Sequence, residues 1–190
     1  MAEPDATQIV AGPGLLYVAP LGTTLPITDA HGEYPITWPT GWVAVGYTDA
    51  GIDATYTPTI KEIMVDEETS PVDDVLSAEK FIVQAKLAEV TLQNYNYAIS
   101  ASTFTSTPAE SDTKVSVGSN PLTYVMVGIE GPAPGTNKKR LILVQKAIAK
   151  GAVAIKMQRK DKVVFSVEFD ARKISGQPLY TIDDFGSSAS

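Results

Sequence analysis

Between residues 77 and 100 the spacing of hydrophobic positions changes once. Phe81, Val83, Ala85 and Leu87 recur at every second position, with Lys80, Gln84 and Lys86 opposite them and Ile82 the single apolar residue on the polar side. That alternation is the pattern of a half-buried strand. From Thr91 the spacing becomes helical. Leu92, Tyr95 and Ile99 fall on one side of a short helix that Thr91 can cap, and these three are its expected packing residues. One continuous helix over 78–100 fits the same letters, because Phe81, Ala85, Ala88, Leu92, Tyr95 and Ile99 also trace a single stripe.

The pattern predicts further strands on either side. Gly12-Pro13-Gly14 opens a short one over 15–19, and the Pro-, Gly- and Thr-rich stretch up to residue 41 reads as a long rim loop. A strand over 42–48 follows. After it comes a hairpin whose arms span 52–57 and 60–66, broken at Pro58, with both faces of the second arm mixed. The acidic, proline-containing run 66–74 reads as a loop, and the Ser- and Thr-rich stretch 103–118 as a surface loop holding a short strand at 114–117. In the C-terminal half, strands are predicted over 122–130, 139–148, 152–159 and 163–171. The second of these is almost continuously apolar, which suggests burial on both faces. In the last, Val163, Phe165, Val167, Phe169 and Ala171 alternate with Ser166, Glu168 and Asp170. The expected fold is therefore mainly β, an antiparallel β-sandwich or barrel-like sheet with one flanking α-helix. The expected organisation is a flexible N-terminal arm over 1–11, one domain over 12–182 with its long loop at 20–41, and a disordered tail over 183–190.

Composition narrows the function. No stretch is apolar for long enough to span a bilayer as a helix, and the first residues carry acids where a signal peptide would carry lysines, so neither a membrane role nor secretion is expected. The chain has no cysteine and one histidine, His31, which removes thiolate chemistry, a Ser-His-Asp triad and multi-histidine metal sites. The acids between residues 62 and 79 lack the spacing of a calcium loop. No catalytic residue, cofactor or metal site is expected, and the protein reads as a non-enzyme. A formal charge of −7 argues against tight nucleic-acid binding. The charge is segregated. Residues 62–79 carry Glu62, Asp66, Glu67, Glu68, Asp73, Asp74 and Glu79 with no base, whereas 138–162 carry nine bases against Asp161 alone. Two readings stay open: charged strand edges that discourage stray pairing, or complementary faces on neighbouring copies.

Several stretches carry a family resemblance. They are GPGLLYVAPLGTTLP near the start, WVAVGYTDAGI from Trp42, the hairpin reaching YTPTIKEIMVDE, VQAKLAEVTLQNYNYAIS, and KVVFSVEFDA before the tail. The fourth is the most specific, a strand ending in Leu-Ala-Glu followed by Thr-Leu-x-Asn opening a helix, and it favours strand-then-helix over a single helix. By these motifs the chain resembles the major tail protein (tail tube protein) of long-tailed, non-contractile, siphovirus-type bacteriophages that infect actinobacteria. Residues 26–39 and 105–119 match no part of that pattern.

The resemblance implies a structural virion protein. Copies would assemble in the host cytoplasm into hexameric rings whose sheets merge into an inner barrel, and the rings would stack into a tail tube that conducts DNA during ejection. Partners would be other copies of the chain, a tape-measure protein, tail-terminator and tail-tip proteins, and passing genomic DNA that is not tightly held. The inner barrel would come from the hairpins over 52–67 and 152–171, with Glu62, Asp66, Glu168 and Asp170 facing the lumen. Leu15, Tyr17, Trp42, Lys139, Arg140, Lys156 and Arg159 would contact neighbouring subunits. Two alternatives are a β-sandwich binding or decoration module and the inner tube protein of a contractile injection system.

Overall fold

The structure, a computed structural model, describes residues 10–26, 36–107, 112–118, 120–135, 138–154 and 163–186. Its elements are β1 (Leu15–Pro20), β2 (Val43–Ala44), β3 (Thr48–Ile63), β4 (Asp73–Leu87), α1 (Leu92–Ala98), β5 (Ser102–Thr107), β6 (Asp112–Val117), β7 (Val125–Pro132), β8 (Lys138–Ala149), β9 (Phe165–Ala171) and β10 (Thr181–Gly186). Eight strands form one sheet in the order β2-β1-β7-β8-β9-β4-β3, with β10 on β8, and β5 and β6 form a separate hairpin. Every pairing is antiparallel. The expected mainly antiparallel β fold with one helix is the fold observed, in its barrel-like form.

The sheet curls around its main core. Leu16 and Val18 of β1, Val127 of β7, Val144 of β8, Phe165, Val167 and Phe169 of β9, and Phe81, Val83 and Leu87 of β4 all meet there, with Ala98 of α1. The predicted inward face of β4, Phe81 to Leu87, is buried as its alternation required. A second, smaller core lies on the outside of the curl. Here Met126, Leu141, Leu143 and Phe185 are covered by Trp42, Trp38, Leu25 and Ile36. The apolar run of β8 has its explanation in these two clusters: Leu141 and Leu143 point to the outer one, Ile142 and Val144 to the inner one. Both faces are buried within one chain.

The β4–α1 junction is strand-then-helix. Thr91 Oγ1 accepts the Asn94 N–H at 3.1 Å, which caps the helix. Its buried face differs from the expected one, however. Asn94 and Ala98 are buried, Tyr95 and Ile99 are half-buried, and Leu92 is 42% exposed, so Leu92 is corrected from core to surface. Asn94 takes the core position because its amide donates to the carbonyls of Val45 (2.8 Å) and Glu89 (2.9 Å). The hydrogen bonds tie the helix to the segment entering β3.

Other expected elements are redrawn. The 42–48 strand shrinks to the two residues of β2, because Gly46 adopts φ +81° and a side chain there would strike the Glu89 carboxylate. The hairpin expected within 52–66 is not one. Pro58 lies inside β3, whose partner is β4 on both sides of a register shift between Thr59 and Ile60, and the acidic run is the turn between them. Proline is tolerated because β3 is an edge strand. The loop over 103–118 contains the β5–β6 hairpin. Residues 183–186 belong to β10 rather than to a tail: Phe185 enters the outer core and Asp184 pairs with Arg140. Residues 152–154 are not strand, and the remainder of the 152–159 strand lies outside the described residues.

Candidate assembly surface

The feature least accounted for within one chain is the far half of β3 and β4. The partner strand β9 covers β4 only from Ile82 to Leu87. Beyond that point, 56–63 of β3 and 73–81 of β4 run on as a two-stranded arm, about 25–30 Å long at strand spacing. A stack of Phe81 on Tyr180, ring centroids 4.0 Å apart, and of Tyr56 beside the same ring at 5.8 Å anchors its base. Tyr56 also donates to Glu79 Oε1 at 2.9 Å, and that bond raises its pKa. Past this anchor, Ile60 and its cross-strand partner Leu76 are 59% and 51% exposed, and Ile63, Met64, Val65, Val72 and Val75 are exposed as well. An isolated two-stranded ribbon is marginal in water, and a contiguous apolar patch on one marks a contact surface.

The residues expected to touch neighbours are distributed differently. Leu15 is 47% exposed at the start of β1. Tyr17 and Trp42 are instead part of the outer cluster: Tyr17 stacks on Trp38 at 3.9 Å, Trp38 leans on Trp42 at 4.9 Å, and Trp42 Nε1 donates to Thr24 O at 2.8 Å. Trp38, which the sequence did not single out, donates to Glu130 Oε2 at 3.0 Å and fills the space over Gly128. Burial and the Glu130 charge raise the Tyr17 pKa. Lys139 approaches Glu130 at 3.8 Å, and Arg140 makes a two-pronged pair with Asp184 at 2.6 and 2.8 Å. The Arg140 bonds hold the Asp184 carboxyl below the ordinary range and raise the guanidinium. Much of the basic stretch is thus partnered within the chain. Lys156 and Arg159 lie outside the described residues.

A family model described as phage tail tube protein matches residues 1–183. The chain belongs to the phage tail tube protein family. It is therefore a structural component of the virion tail. No curated protein matches it. No helix among the described residues is long and apolar enough to cross a membrane.

In this tail tube subunit the four acids proposed to face a lumen do not share a surface. Asp170 is corrected outright, being only 3% exposed. Its Oδ2 accepts from Arg172 at 2.9 Å and lies 3.1 Å from Lys150 Nζ. Burial pushes its pKa up, but the hydrogen bonds and charges of Arg172 and Lys150 outweigh this and hold it below the ordinary range. Glu168 turns to Gln84, whose Nε2 donates at 2.7 Å. By register Glu62 lies on the side of the ribbon that continues the core face, opposite Asp74, whereas Glu168 pairs with Gln84 on the other side. Asp66 sits exposed in the turn at the tip of the arm. Alternation placed each acid outward on its own strand. Only the pairing shows that the strands' outward sides differ.

Proposed function

We propose that the chain is the repeating, non-enzymatic subunit of a siphovirus-type tail tube of an actinobacterial phage. Copies form hexameric rings in the host cytoplasm, and the rings stack into a conduit for DNA ejection around a tape-measure protein, closed by terminator and tip proteins. The observation that carries this reading is the β3–β4 arm, an apolar ribbon without a third strand among the described residues, in a chain of a tube-forming family. The side of the ribbon carrying Thr55, Thr57, Gln84 and Glu168 is polar over most of its length, with Ile63 and Val75 near the tip, and we assign it to the bore. It sets Asp53, Asp73 and Glu168 against Lys61, Lys80 and Lys86, so it presents little net charge to passing phosphate, and DNA slides without adhering.

Electron microscopy of concentrated full-length protein tests the proposal. Rings or tubes about six subunits around are expected, as the family resemblance implies. A population that stays monomeric at high concentration would overturn it.

A further inference from the structure

Two adjoining hollows lie at the C-terminal end of α1, with volumes of ≈ 340 Å³ and ≈ 450 Å³. They share Ile99, Ser100 and Ala149. Tyr97 and Val125 line the first, and Leu21 and Leu122 stand on the rims, 46% and 58% exposed. The site is apolar at its centre and basic at its edge. Lys150 lines the second hollow, and Lys146 lies 4.4 Å above the ring of Tyr124, which lines the first. Among the described residues no acid lines either hollow. Of the two acids beside the second hollow, Asp170 is already shared between Lys150 and Arg172, and Glu168, packed against Gly151, accepts from Gln84.

The β3–β4 arm has the complementary character. Its exposed apolar residues are flanked by Glu62, Asp66, Glu67, Glu68, Asp73 and Asp74, with Lys61 the single base between residues 56 and 79. The register sets arm and hollows at opposite ends of the strands. The hollows gather Pro20, Val125 and Ala149, which mark one end of β1, β7 and β8. Past Ile82, which pairs with Asp170, the arm runs in the other direction, toward the start of β8. The arm of a chain therefore does not reach that chain's own hollows, but the arm of a neighbour placed head-to-tail can. Contacts of that kind repeat from copy to copy rather than closing in a pair.

We infer that the apolar side of the β3–β4 arm of one copy, around Ile60 and Leu76, seats in the α1-end hollows of the next copy, with the arm's acids against Lys146 and Lys150. The inference rests on the assembly reading above and names its contact. Burying both apolar surfaces at once supplies the drive, and the charges set the direction, since an arm against another arm brings acids together.

The chain has no cysteine, so single engineered thiols report the contact cleanly. Ile60→Cys and Leu122→Cys variants, mixed and oxidised under assembly conditions, are expected to give a disulfide-linked dimer that neither variant gives alone. Ile60→Cys mixed with Ile182→Cys, an exposed position on β10 that lines neither hollow, serves as control. Tubes that form while the Ile60–Leu122 cross-link stays at the control level would overturn the inference and leave the tube reading standing. Absence of both assembly and cross-link would overturn the two together. A second arm of the test is charge exchange. Lys146→Glu is expected to raise the concentration needed for assembly by about tenfold, the effect of losing one modest pair contact, and Asp74→Lys in the same chain to restore it. An unchanged assembly threshold in Lys146→Glu, or no restoration, would count against the proposed seat.

Discussion

Single side chains hold the outer face of the sheet closed. Gly128 is glycine because Trp38 lies where a side chain would begin, so Gly128→Ala should displace the indole and cost about 1–3 kcal/mol through overpacking. Trp38 and Trp42 are the chain's two tryptophans, and both sit in that cluster. A red shift of tryptophan emission in Gly128→Ala, together with a lower melting temperature, would register the displacement, and an unchanged spectrum would refute the packing account. Asp170 sets an acid limit. Its folded pKa is depressed, so below the ordinary carboxylate value of about 3.9 the unfolded chain takes up the proton more readily than the folded one. The stability it contributes is present above that value and fades as pH falls through the folded pKa. Asp170→Asn should therefore melt about 1–3 kcal/mol less stably at neutral pH and lose less of its stability between pH 5 and pH 2 than the parent. Parallel pH profiles would show that the carboxylate plays no such part.

Among the elements, α1 is the most sharply testable. Its cap and its buried amide, rather than its apolar residues, fasten it. Thr91→Ala should cost about 0.5–2 kcal/mol. Asn94→Ala, which strands the carbonyls of Val45 and Glu89, should cost at least as much, about 1–3 kcal/mol. Leu92→Ala should stay within about 0.5 kcal/mol, as an exposed position does. Chemical denaturation of the three variants would check the ranking, and a Leu92→Ala variant as damaged as Asn94→Ala would reverse the assignment of the helix's buried side. The helix was legible in the letters from Thr91 onward, but its orientation was not. Periodicity assigns buried positions by hydrophobicity, and here a polar amide occupies one because two carbonyls await it.

For the whole molecule, the arm should matter little to folding and much to assembly. Ile60→Ser with Leu76→Ser removes apolar groups that already face water, so the melting temperature of the isolated chain should hardly move, while ring and tube formation should be lost. Sedimentation of the double variant beside the parent measures both. Tubes formed as readily by the variant would dismiss the arm as an assembly element.

The sequence by itself determined the local structure wherever one face is buried and the other is wet: the inward side of β4, the alternation of β9 and the strand-to-helix switch at Thr91. Those features depend on a period of two or of 3.6 residues and on a capping hydroxyl, all of which are local. What only the tertiary structure decided is which strand pairs with which. Pro58 reads as a break in isolation and is harmless on an edge, and β10 hides behind two acids until Arg140 and the outer core accept its side chains. Asp170 looks like a surface charge by alternation and becomes a buried ion because Lys150, brought in from the end of β8, joins its near neighbour Arg172 on it. Pairing is a long-range choice among many strands of similar pattern, and its free energy comes from contacts between residues far apart in the chain.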